Sequence, residues 1–147
     1  MNDSAKTITL CIESRWQCVS LVGVAVRGIC LEHTQDPETA SCIELAACEA
    51  INNIIEHGYG GEPGHAIVIE VHLGSGRLDI RTKDTGKSFA PERAESRIPA
   101  PACDCSKIRL RGRGLHIITS IMDTWSYETQ TDGTNVLQLT KYLRSTV

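Results

Sequence analysis

The chain has 147 residues, room for one compact domain and too little for two of ordinary size. Charged residues make up 22% of it and the formal net charge is −3, which excludes the strongly basic footprint of a dedicated nucleic-acid binder. The 41% apolar share supports a core, mainly aliphatic because only one Phe, three Tyr and two Trp occur. No apolar run approaches the ~20 residues of a membrane span, and Met1 to Lys6 leads into no secretion signal. Composition therefore predicts a single soluble cytoplasmic domain over residues 1–147, with neither nucleic acid nor membrane as a partner.

Ile8, Leu10 and Ile12 alternate with Thr7, Thr9 and Cys11, which predicts a strand near the N-terminus. From Ser14 to about Leu31 the apolar positions Val19, Val22, Val26 and Ile29 recur at helical spacing, with Ser14 as the expected N-cap. Gln35-Asp36-Pro37 breaks that pattern. A second helix is predicted from Pro37 to Glu56, with an apolar face of Ile43, Ala47, Ala50, Ile51, Ile54 and Ile55. Gly58, Gly60, Gly61, Pro63 and Gly64 end it.

Two strands follow, Ala66–Leu73 and Arg77–Thr82, joined by the hairpin link Gly74-Ser75-Gly76. Pro91 to Leu110 carries Arg and Lys side chains, Pro91, Pro99 and Pro101, and little apolar periodicity, so a long, mobile loop acting as a lid is expected there. A short helix from about Gly114 to Met122 comes next. Strands Thr124–Thr129 and Thr134–Leu143 close the chain, with Thr131-Asp132-Gly133 as their turn. The pattern predicts an α+β fold, an antiparallel-rich sheet with helices packed on one face.

The seven cysteines are odd in number and accompany no export signal. Cys11, Cys18, Cys30, Cys42 and Cys48 fall in stretches that read as core, where a thiol behaves as a small hydrophobe. Only Cys103 and Cys105 form a close pair, and no second pair nearby completes a tetrahedral zinc site. Reduced thiols are the expectation.

The second helix sets Glu49, Asn53 and His57 at i, i+4 and i+8, along one stripe. Asn offers a neutral oxygen to a hard cation such as Mg²⁺, which takes few protein ligands, and a Glu one turn earlier can accept a proton from an attacking hydroxyl. A solvated helix face has the same pattern. Asp84-Thr85-Gly86 follows a strand; its carboxylate can accept from an exocyclic amine such as that of adenine, and its glycine admits close approach, although Asp-x-Gly also makes ordinary turns. Arg111-Gly112-Arg113-Gly114-Leu115 precedes a helix, where free amides and the helix dipole favour an anion. It is neither a Walker loop nor a dinucleotide fingerprint, and a charged surface loop is the plain alternative.

Taken in order, these boxes are more specific than any one alone. Glu49-Ala50-Ile51-Asn52-Asn53-Ile54-Ile55-Glu56-His57-Gly58, Asp84-Thr85-Gly86-Lys87-Ser88-Phe89, Arg111 to Ile118 with Ile121-Met122-Asp123, and Gly133-Thr134 resemble the GHKL ATPase superfamily, most nearly its bacterial anti-sigma-factor serine/threonine kinases. The resemblance spans residues 49–134. It implies a Bergerat-type two-layer sandwich, with a mixed, mostly antiparallel sheet, helices on one face and an ATP lid. By this likeness Glu49 is the catalytic base and Asn53 the magnesium-binding residue. Asp84 takes the adenine amino group, Gly86 lets the base approach, and Gly112, Gly114 and Leu115 belong to the phosphate loop. Thr134 supports the adenine pocket, and His57 falls near the phosphate end, where a packing role is equally open. Lys107, Arg109, Arg111 and Arg113 are the lid-end cations within reach of a γ-phosphate.

The implied function is an ATP- and Mg-dependent serine/threonine protein kinase acting as an anti-sigma factor in a partner-switching module. A small antagonist protein is its substrate, a sigma factor its other partner, and the chain a homodimer. The alternative is a nucleotide-gated binding module with little or no kinase activity, which has no need of Glu49. The ATP-binding half of a histidine kinase is a third reading, against which the short stretch ahead of Pro37 leaves no room for a dimerising hairpin with a phospho-acceptor His.

Overall fold

In the computed structural model, residues 4–88 and 114–144 are described. The expected lid, with Cys103, Cys105, Lys107 and Arg109, lies outside them. In chain order the elements are β1 (Lys6–Glu13), α1 (Trp16–Thr34), α2 (Pro37–Asn53), a π-helical turn (Ile54–Gly58), β2 (Ala66–Leu73), β3 (Arg77–Asp84), α3 (Gly114–Ile121), β4 (Thr124–Thr129) and β5 (Asn135–Tyr142). The strands form a five-stranded sheet in the order β1-β2-β3-β5-β4, and every pairing is antiparallel.

Strand alternation fixes which face the helices cover. Ile67, Ile69, Val71 and Leu73 of β2 and Leu78 and Ile80 of β3 are buried in one core with Val19, Val22, Val26, Ile43, Ala47, Ala50, Ile51 and Ile118. The opposite residues make a polar outer face, where Lys83 donates to Glu70 at 2.8 Å and Arg81 to Gln138 at 2.8 Å. This two-layer α+β sandwich matches the expected architecture.

The α1–α2 connection is decided locally. Gln35 adopts a left-handed conformation (φ 57°) and its amide returns to Leu31 O at 2.9 Å, closing α1. Asp36 then caps α2, its Oδ1 accepting from Glu38 N at 3.1 Å and Thr39 N at 3.3 Å, and Pro37 takes the first turn, where its missing N–H costs nothing.

Two expectations are corrected. Arg15, not Ser14, precedes α1 as its cap residue, without a side-chain cap. The buried Ser14 hydroxyl instead donates to Glu62 O at 2.7 Å and accepts from His65 N at 3.0 Å, bonds to a segment distant in sequence that no local pattern reveals. Cys11 is exposed rather than core, because β1 is an edge strand and the odd-numbered residues of β1 face away from the helices; Cys30 is buried, and Cys18, Cys42 and Cys48 are half-buried.

Candidate functional site

The site is built where the end of α2 and the turn after it meet the start of α3 and the end of β3. Glu49 and Asn53 lie one α-helical turn apart, both half-buried. Burial pushes the Glu49 carboxyl above its ordinary range, the direction that suits a proton acceptor working near neutrality. Immediately after Asn53 the helix widens. Tyr59 N bonds Ile54 O at 3.0 Å, five residues back, so the i+4 repeat is not continued through the expected end at Glu56. His57 sits in that widened turn with its side chain mostly exposed, its Nε2 3.9 Å from Glu56 Oε2.

The π-turn brings Gly58 against the segment after β3. Gly58 O accepts from Lys87 N at 2.7 Å, and a Cβ on Gly86 would lie 2.6 Å from both Gly58 C and Gly58 O. Only a glycine fits there without moving backbone. Asp84, at the end of β3, is 7% exposed, and its Oδ1 accepts from Gly86 N at 2.9 Å and from Asn135 Nδ2 at 3.0 Å. The adjoining peptide is held by Tyr59, whose hydroxyl accepts from Thr85 N at 2.9 Å and donates to Ala66 O at 2.9 Å.

At the other end, Gly114 opens α3 directly over Asn53: a Cβ there would approach Asn53 Nδ2 to 2.8 Å and Oδ1 to 3.0 Å. Leu115 follows half-buried in the first turn of α3. Arg111, Gly112 and Arg113 lie outside the described residues. Thr134 sits in the β4–β5 hairpin, its amide donating to Asp132 Oδ1 at 2.9 Å, and β5 starts one residue later. The described structure thus sets Gly114 against Asn53, one turn after Glu49 on α2, and gathers Asp84, Gly86 and Gly58 where the π-turn meets the end of β3.

Sequence reasoning missed Tyr59 and Asn135. Asn135 had a faint signal, since Asn is a poor strand former and here it opens a strand directly after Gly133-Thr134. Tyr59 had none, because its partners at Ala66 and Thr85 are set only by folding.

The donor set suits a purine nucleotide with a hard cation. Asp84 offers an anionic acceptor in a nearly dry position, and the Gly58–Gly86 contact keeps backbone close without side chains. Asn53 supplies one neutral oxygen, consistent with a magnesium ion that takes its remaining ligands from phosphate and water.

Comparison with known proteins places the chain in a family. Residues 13–141 match the family model described as the histidine kinase-like ATPase domain. The serine-protein kinase RsbW of Listeria innocua serovar 6a is 30% identical over 118 residues, covering 79% of this chain and 75% of that protein. The anti-sigma F factor of Heyndrickxia coagulans is 27% identical over 131 residues, 88% of this chain and 86% of its own. A chain in the crystal structure of the SiaB-SiaC complex from Pseudomonas aeruginosa superposes with a TM-score of 0.56 at 17% identity, over 91% of this chain and 89% of that one, a likeness of fold. With the family model spanning most of the sequence, the chain belongs to the histidine kinase-like ATPase domain family.

Proposed function

We propose that residues 1–147 act as one ATP-dependent serine/threonine protein kinase domain, an anti-sigma factor in a partner-switching module. The observation that carries this reading is the pairing of a burial-raised Glu49 with Asn53 one turn away, beneath the glycine that opens α3. The names of two relatives, a serine-protein kinase and an anti-sigma F factor, support it.

Asp84 accepts the adenine amino group, Gly86 gives the ring room, and Thr134 supports the pocket from the hairpin. Gly112, Gly114 and Leu115, flanked by Arg111 and Arg113, hold the phosphates. Asn53 holds Mg²⁺, which when bound offsets phosphate charge. Glu49 takes the proton of a serine or threonine hydroxyl on a small antagonist protein as that oxygen attacks the γ-phosphorus, the bond to the β–γ bridging oxygen breaks and ADP leaves, in a reaction whose barrier is lowered mainly by positioning and electrostatics. His57, on the exposed turn, is assigned to the phosphate end. A sigma factor is the second partner, the working form is a homodimer, and the setting is the cytoplasm. No helix among the described residues is long and apolar enough to cross a membrane.

The test is phosphotransfer from ATP, with Mg²⁺, to candidate antagonist proteins of the same genome. Phosphate on a serine or threonine of one of them supports the kinase; tight ATP binding without transfer to any overturns it in favour of a nucleotide-gated binder.

A further inference from the structure

Asn135 is 1% exposed and all four of its hydrogen-bonding capacities are used. Its Nδ2 donates to Asp84 Oδ1 at 3.0 Å and to Gly86 O at 2.9 Å. Its Oδ1 accepts from Thr129 Oγ1 at 2.8 Å and Ser88 Oγ at 3.2 Å. The orientation of this amide is therefore dictated by chemistry. Turned over, it would set an oxygen against a carboxylate and a carbonyl, and leave two donors facing hydroxyls.

This one side chain ties the end of β3, the turn after it and the end of β4. Its effect on Asp84 is specific. Oδ1 is occupied twice, by Gly86 N and Asn135 Nδ2, and none of the described residues hydrogen-bonds Oδ2. A carboxylate pinned through one oxygen has a fixed plane, so its second oxygen presents an acceptor in a fixed direction. An acceptor there favours a purine bearing an amine and disfavours one bearing a carbonyl at the same position, because like partial charges then meet in a poorly solvated place.

We propose that Asn135 is the specificity-positioning residue of the nucleotide pocket: by holding Asp84 through Oδ1 it directs Oδ2 at the 6-amino group of adenine. The inference rests on the assignment of Asp84 to the adenine amine. Asn135 acts through Asp84 and touches no substrate itself.

The test is the ratio of ADP to IDP affinity, measured by titration calorimetry. The two nucleotides differ at the 6-position, an amine in one and a carbonyl in the other. The parent chain prefers ADP. In Asn135→Ala that preference falls about ten-fold, the scale of one hydrogen bond involving a charged group. In an Asp84→Ala background the same substitution changes the ratio no further, since the two residues act as one unit. Thr129→Val, which removes a donor to Asn135 Oδ1 and leaves the amide in place, lowers the ratio by a smaller factor and provides the measurement should Asn135→Ala fail to fold. A merely structural Asn135 would lower the melting temperature and both affinities together. A folded Asn135→Ala or Thr129→Val chain with the parent's ratio, or an equal further loss in the Asp84→Ala background, overturns the proposal. A parent chain that does not distinguish ADP from IDP overturns the adenine assignment itself, a separate failure.

Discussion

Replacing Gly86 by alanine tests the close backbone contact between Gly58 and the turn after β3. The added Cβ would stand 2.6 Å from Gly58 C and O and 2.9 Å from Gly58 Cα, whereas ordinary contact begins near 3.4 Å. The obstacle is main chain on both sides, so no rotamer relieves it, and the two segments must part by most of an ångström. That movement stretches the 2.7 Å bond from Lys87 N to Gly58 O. Overpacking costs about 1–3 kcal/mol and the weakened hydrogen bond about 1 more, so a loss of about 2–4 kcal/mol is expected. For a chain of this size that is roughly 5–15 °C in melting temperature. Thermal unfolding at neutral pH, with ADP affinity measured well below the transition, reads both effects, and ADP binding falls along with stability. Gly58→Ala is the control from the other side of the same contact. Its Cβ meets Asp84 Oδ1 at 3.6 Å and Ile54 Cγ2 at 3.7 Å, ordinary van der Waals distances, so its stability stays within about 1 kcal/mol of the parent. A Gly86→Ala chain that melts with the parent, or a Gly58→Ala chain equally damaged, refutes the steric argument.

Glu49→Gln is expected to keep ATP binding and lose phosphotransfer, while Asp84→Asn weakens nucleotide binding itself; equal loss of binding in both contradicts the roles. The same Glu49 variant carries a pH signature. With the folded carboxyl raised by burial, the stability it contributes is present in acid, below the unfolded carboxylate value, and is lost as pH rises through the folded one. Glu49→Gln should therefore melt above the parent at pH 7 and gain less at pH 4, as scanning calorimetry at the two values will tell. Gly114→Ala should displace the Asn53 amide, the end of a flexible side chain, and leave the fold intact. The gain in ATP affinity on adding Mg²⁺ then shrinks, and an unchanged gain would separate Asn53 from the metal. Among the cysteines of the described segments, alkylation followed by mass spectrometry should modify exposed Cys11 first and Cys30 last, since burial pushes the Cys30 thiol up to about 12. Nucleotide affinity should survive modification of Cys11; early labelling of Cys30 would contradict its packing.

Much of this molecule is determined by its sequence alone. The 3.6-residue and two-residue apolar periods place both long helices and the strands within a few residues of their ends, because burial of an apolar face is what local periodicity encodes. Asp36-Pro37 starts α2 by a local device, and Glu49, Asn53, Asp84 and Gly86 stand out because spacing and turn chemistry are properties of neighbouring residues. Tertiary structure decided the rest. Ser14 caps no helix because Glu62 O and His65 N reach it first, and Cys11 is exposed because β1 has a neighbour on one side only. The π-turn after Asn53 presents Gly58 to Gly86, and the polar clamp of Tyr59 and Asn135 on the β3 end joins residues up to 51 positions apart. Hydrogen bonds across such separations are set when the sheet closes on the helices, and no window along the chain contains both partners.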